Sequence, residues 1–182
     1  MVLVFLADGF EEAEALVPVD VLKRCGLDVR TVSIMETNVV TGTHGIKVIA
    51  DEVYKDLSPS SPDAVILPGG LPGADHLQSS PYVKEHIVAA NKEGRLIGAI
   101  CAAPKVLGAY GLLEGKKAVC YPGFEDKLKG AHVSDHGVMV CDNIITSRAA
   151  GKCFDFAFEI AKALGKEKEA ESVKESILYL NL

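Results

Sequence analysis

The chain has 182 residues, of which 48% are hydrophobic and 24% charged, and its formal net charge is −6. That is the profile of a single soluble domain spanning 1–182. It excludes two independent cores, and it excludes a general nucleic-acid surface, which needs a basic stripe. A chain this long buries roughly 70% of its unfolded surface, so it requires no disulfide or metal staple.

Residues 2–7 form a continuous apolar run ended by Asp8-Gly9, which predicts a strand buried on both faces. The run lacks a basic leader and is too short for a signal peptide. No apolar stretch reaches the ~20 residues of a membrane span. A cytoplasmic protein without membrane contact is expected. Residues 11–25 then read as a helix with an acidic start, stopped by Gly26. Residues 27–35 read as a strand, and 37–51, with Thr-Gly-Thr-His-Gly between β-branched runs, as a hairpin. A second buried strand, 63–67, leads into Pro68-Gly69-Gly70. A helix over 82–92, a strand over 95–100 and a helix over 102–109 follow. Residues 116–120, 138–141 and 144–146 are short β segments, 152–164 a helix and 167–179 a final amphipathic segment.

Strands alternating with helices predict an α/β fold, a three-layer sandwich around a mostly parallel sheet with right-handed crossovers. Sites in such sheets lie beyond the carboxyl ends of the strands, near the topological switch. That rule selects three loops: residues 7–14, 68–73 and 101–104.

Five cysteines stand at 25, 101, 120, 141 and 153, with no Cys-x-x-Cys or zinc spacing among them. Cys101 lies where a strand meets a helix, flanked by small residues in Gly98-Ala-Ile-Cys-Ala-Ala-Pro104. Two readings fit: a core cysteine beneath a helix, or a thiol on a nucleophile-elbow-like turn whose pKa the helix N-terminus lowers. In the first loop, Pro18 lies four residues after Glu14 and is expected to distort the backbone there. Glu11 and Glu14 share a helix face. A desolvated Glu14 near Cys101 would have a raised pKa and could move protons. Gly69 and Gly70 permit close backbone approach, and N–H groups near Gly70 and Ala102 can hold an oxyanion. The histidines form no metal pattern; His44, in the hairpin, is the one to watch. Arg148 precedes a helix and can hold an anion, or is an ordinary surface arginine.

Taken together, Ala7-Asp-Gly-Phe-Glu-Glu-Ala-Glu14, Pro18-Val-Asp20, Leu67-Pro-Gly-Gly70, Ala99-Ile-Cys-Ala-Ala-Pro104 and Thr146-Ser-Arg148 resemble the ThiJ/PfpI superfamily, in its parkinsonism-associated deglycase (DJ-one) branch. The resemblance covers nearly the whole chain. It implies a flavodoxin-like sandwich, usually a homodimer, with Cys101 as nucleophile, Glu14 as its partner, and no metal or organic cofactor. It implies a glyoxalase or deglycase acting on methylglyoxal, glyoxal and their early adducts on proteins or nucleotides. An alternative is an oxidative-stress sensor or holdase chaperone working through the same cysteine. Tyr121 stands where the animal branch has a histidine, and it is a poor base with an ordinary pKa of ~10, so a triad is not expected. The peptidase branch has histidine after the cysteine, where this chain has Ala102. His132 and His136 do not supply the His-x-Glu dyad of the amidotransferases.

Overall fold

The computed structural model describes residues 1–57 and 61–179. In chain order these form β1 (Val2–Leu6), α1 (Glu12–Arg24), β2 (Val29–Ser33), β3 (Val39–Thr41), β4 (Lys47–Ile49), β5 (Glu52–Val53), β6 (Ala64–Leu67), α2 (Gly73–Ser79), α3 (Pro81–Lys92), β7 (Leu96–Ile100), α4 (Pro104–Ala109), β8 (Lys117–Ala118), β9 (His132–Val133), β10 (Val138–Cys141), β11 (Ile144–Ser147), α5 (Cys153–Ala163) and α6 (Glu167–Ser176).

Seven strands form one sheet in the order β10-β11-β7-β6-β1-β2-β5. Every neighbouring pair is parallel except β10–β11. The alternation of β1 divides the core. Val2, Val4 and Leu6 face a layer built from α1, α5 and α6. Leu3, Phe5 and Ala7 face the layer of α2, α3 and α4. Phe5, Ile66, Ile97 and Phe156 are fully buried, and each such side chain contributes about 1.5–3 kcal/mol by leaving water. The expected three-layer α/β sandwich is therefore present.

The chain leaves β1 toward β2 on one side and returns to β6 on the other. That reversal is the topological switch. It brings the loops after β1, β6 and β7 to one edge of the sheet.

The structure departs from the sequence reading in four places. The 68–73 loop feeds directly into α2, a helix hidden in the sequence by Pro72-Gly73. The helix expected from 102 begins at Pro104, so Cys101, Ala102 and Ala103 form a separate turn. Residues 117–118 pair with β9 in a two-stranded sheet rather than joining the main one. Finally, α1 runs unbroken through Pro18. Of the carboxyl-terminal segment, Ile177 and Tyr179 pack on the α1/α5 core, and 180–182 lie outside the described residues.

Candidate functional site

Cys101 has φ +63°. A non-glycine residue in the left-handed region costs about 1–3 kcal/mol and persists only where its surroundings fix it. Both of its peptide groups are fixed. Its N–H donates to the Ser147 carbonyl at 2.8 Å, and its carbonyl accepts from the Tyr121 N–H at 2.9 Å. The first contact extends the β7–β11 ladder by one residue. Ala102 and Ala103 are small enough to be buried beneath the turn. The backbone thus reverses at Cys101 and turns its thiol toward the first loop, half-buried.

Glu14 meets it there. It lies in the first turn of α1 and is 1% exposed. Its Oε2 accepts from the Gly69 N–H at 3.0 Å, and the Ala150 N–H and the Cys101 thiol lie near enough to act on its carboxyl. Gly69 is the spacer between them. A Cβ at that position would stand 2.5 Å from Glu14 Oε2 and 2.8 Å from the Cys101 Cβ. Gly70 has φ +86°, and a Cβ on it would meet the Glu11 nitrogen at 2.4 Å. Glycine is needed at both positions, for space at the first and also for conformation at the second.

Burial pushes the Glu14 carboxyl up to about 7, with the Glu11 charge adding to the effect; the bonds from Cys101, Gly69 and Ala150 oppose it. Burial also pushes the Cys101 thiol up, and the Glu14 carboxylate adds to that. The N–H groups of Ala102 and Gly70 act on the sulfur in the opposite sense. The expectation that a helix N-terminus lowers this thiol's pKa is therefore corrected. The helix starts two residues later than expected, at Pro104, and a buried carboxyl sits against the sulfur. The expectation of a Glu14 with raised pKa is met.

The remaining candidates divide. Glu11 stands at the N-cap position of α1 without a side-chain capping bond, and its N–H donates to the Gly69 carbonyl at 2.9 Å, so it frames the site from the rim. His44 is brought to Glu12, whose Oε2 lies 2.8 Å from its Nδ1, with Glu11 at 3.7 Å. Glu12 is buried, and the His44 N–H also donates to it at 2.8 Å. It therefore latches the β3–β4 hairpin to α1. Glu11, Glu12 and His44 bring potential ligand atoms within 4.8 Å of one another, but Glu12 already accepts from His44 and the Ile46 N–H. Tyr121 serves the turn through its backbone, and its side chain is exposed. Arg148 donates to the Asp135 carbonyl at 3.0 Å, engaged with the loop before β10. Two backbone contributors escaped the sequence reading, Ser147 and Ala150. They flank Arg148, and only its charge drew notice. Nothing in the acidic start of α1 separates Glu12, which is buried, from its neighbours.

A doubly wound sheet with a left-handed cysteine at its carboxyl edge and a buried carboxyl and backbone N–H groups beside its sulfur defines a class of cysteine-centred α/β proteins. Comparison with known proteins narrows the class. The DJ-1/PfpI family model matches residues 1–163, and the chain belongs to that family. Protein DJ-1 homolog B of Arabidopsis thaliana is 41% identical over 173 residues, covering 93% of this chain and 40% of the relative. The chain spans less than half the length of the two Arabidopsis thaliana relatives it matches. Glutathione-independent glyoxalase DJR-1.2 of Caenorhabditis elegans is 36% identical, covering 90% of this chain and 88% of the relative. The structure of oxidized Toxoplasma gondii DJ-1 superposes with a TM-score of 0.93 at 33% identity, covering 97% of each chain. The fold is thus the flavodoxin-like one of this family. No helix of the described residues is long and apolar enough to cross a membrane.

Proposed function

We propose that the protein is a cofactor-independent glyoxalase or deglycase of the cytoplasm, acting on methylglyoxal, glyoxal and their early adducts. The observation that carries this reading is Glu14, held near pKa 7 against the thiol of Cys101. A carboxyl poised at working pH is suited to move a proton in either direction. Cys101 sulfur adds to the aldehyde carbon of methylglyoxal, its proton passing to Glu14. The N–H groups of Gly70 and Ala102 face the sulfur and are available to the new oxyanion. Glu14 returns the thiol proton to the oxyanion, giving the hemithioacetal hydroxyl. As the regenerated carboxylate it carries the proton of the former aldehyde carbon to the adjacent carbon through an enediol, the hydroxyl proton passing to the neighbouring oxygen. A lactoyl thioester on Cys101 results, and water releases lactate and the free thiol. The sum is methylglyoxal plus water to lactate; glyoxal gives glycolate by the same steps.

The test is stereospecific lactate formation, measured beside a buffer control because these aldehydes add reversibly to any amine or thiol. Cys101→Ala is expected to abolish it and Glu14→Gln to reduce it severely. Wild-type lactate formation by Cys101→Ala would overturn the mechanism.

A second reading, an oxidative-stress sensor or holdase chaperone, is favoured by the accessibility of the same thiol: Cys101 is half-buried, as is Cys141 away from the site, whereas Cys25, Cys120 and Cys153 are buried. A relative has been solved as an oxidized protein. A neutral Glu14 would hydrogen-bond a Cys101 sulfinate and arrest oxidation there. A homodimer belongs to the same proposal. Leu16 on α1 and Val39, Ile46 and Ile49 of the hairpin are exposed apolar residues, Ile49 at 73%, and large exposed apolar groups mark association surfaces. Sedimentation at micromolar concentration tests it.

A further inference from the structure

Among the described residues, Lys105 is the one buried lysine or arginine, 7% exposed at the second position of α4. A buried ammonium is costly unless paired, and a hydrophobic residue of similar volume often does as well or better for stability. Lys105 is paired. Its Nζ meets the Asp75 carboxylate, in the first turn of α2, and lies 5.7 Å from the centroid of the Phe124 ring.

Each of these three points is tied to one part of the cradle around Cys101. Lys105 follows Ala102 by three residues, its N–H donating to the Ala102 carbonyl at 3.4 Å, and the Ala102 N–H acts on the sulfur. Asp75 follows Gly70, whose N–H is the other backbone group that acts on the sulfur and whose carbonyl accepts from the Ala74 N–H at 2.9 Å. Phe124 closes a turn onto the Tyr121 carbonyl at 3.1 Å, and the Tyr121 N–H holds the Cys101 carbonyl. One buried cation thus joins the three segments that carry the two donors and the backbone clamp.

We infer that Lys105 and Asp75 are positioning residues, which hold the Gly70 and Ala102 N–H groups on the Cys101 sulfur. The inference rests on the reading of Cys101 as the reacting group, and it extends that reading to residues with no contact to the sulfur. Loss of the tie lets the two donor-bearing segments move apart, and the thiolate loses the groups that oppose its burial.

The test is alkylation of Cys101 by iodoacetamide across the pH range, resolved from the other cysteines by peptide mass spectrometry, with thermal unfolding as the folding control. Lys105→Met and Asp75→Ala should both slow Cys101 alkylation at neutral pH about tenfold and move its profile to higher pH, a modest loss for displaced rather than deleted donors. Lys105→Arg should restore most of the rate. Asp75→Ala separates positioning from direct charge. Removing a negative charge would speed alkylation if charge alone acted on the sulfur, whereas loss of the tie slows it. Profiles of Lys105→Met and Asp75→Ala that superimpose on wild type would overturn the inference, as would faster alkylation of Asp75→Ala. Should either variant fail to fold, the other decides alone: Lys105→Met keeps the volume and leaves no buried charge unpaired, and Asp75→Ala truncates a side chain that is 59% exposed. Alkylation needs no aldehyde substrate, so failure of the glyoxalase reading leaves this result interpretable.

Discussion

Replacing Glu14 by Gln should stabilise the protein above neutral pH while removing its chemistry. Glu14 titrates at about 7 in the folded protein against 4.5 for an ordinary glutamate. A carboxyl with a raised folded pKa holds its proton more tightly when folded. Stability is therefore highest below pH 4.5 and falls as pH rises, reaching a plateau above pH 7, once the folded carboxyl has ionised too. The shift of about 2.5 units corresponds to about 3 kcal/mol of lost stability at pH 8. Gln has the same shape, cannot ionise, and keeps an oxygen for the Gly69 N–H. All other titrations are shared, so they cancel in the difference between the two proteins. Urea unfolding should give nearly equal stabilities at pH 4.5, with Glu14→Gln ahead by about 3 kcal/mol at pH 8. For a chain of this size that is about 6–12 °C in Tm. A difference that does not change with pH would refute a carboxyl held neutral by burial, and the proton shuttle with it.

Gly69→Ala places a Cβ 2.5 Å from Glu14 Oε2 and 2.9 Å from the Ile100 carbonyl; it should cost about 1–3 kcal/mol by overpacking and should lower lactate formation more than any loss of folded protein explains. The His44–Glu12 contact raises the His44 pKa and lowers that of Glu12. Its stabilisation should be present below the ordinary histidine pKa of 6.5 and lost as pH rises through the raised value, and His44→Ala should flatten that dependence in urea melts. Mild peroxide should oxidise the half-buried Cys101 ahead of the buried Cys120 and Cys153; burial pushes all three thiols up, so access rather than acidity separates them. Peptide mass spectrometry reads this directly, and even oxidation of these three would count against Cys101 as a sensor.

The fold was legible where single segments determine it. The apolar runs of β1, β6 and β7 announced strands buried on both faces, and the loops after them were the ones the switch-point rule selects. Two kinds of feature were not legible. α2 is seven residues long and opens on Pro72-Gly73, which local chemistry reads as a turn; the packing of Ala74 and Leu77 makes it a helix. The second kind depends on what tertiary packing does to charge. Glu11, Glu12 and Glu14 look alike in sequence, yet they open a helix, latch a hairpin and face a thiol. Nothing in the sequence around Lys105 marks it as buried. Nothing local distinguishes these roles, because they are set by partners from distant segments. The same limit explains the misjudged thiol. Its small-residue flanks correctly gave a sharp turn, but the sign of its pKa shift depends on desolvation and on Glu14, neither of which lies in its own segment.

The raised thiol and the raised carboxyl are two aspects of one arrangement. Burial disfavours charge on either group, and the two lie close enough that both cannot be ionised cheaply. Near neutral pH the pair therefore holds one or two protons, and with one proton the charge sits on sulfur or on oxygen. The carboxylate form is stabilised by the Gly69 and Ala150 N–H groups, the thiolate form by those of Gly70 and Ala102. Two sets of backbone donors thus compete for one negative charge. Their balance, rather than an intrinsically acidic thiol, sets how much nucleophile is available. Moving that balance requires moving backbone. This is why the left-handed turn at Cys101, the two glycines and the Lys105–Asp75 tie matter to the chemistry, although none of them carries the proton.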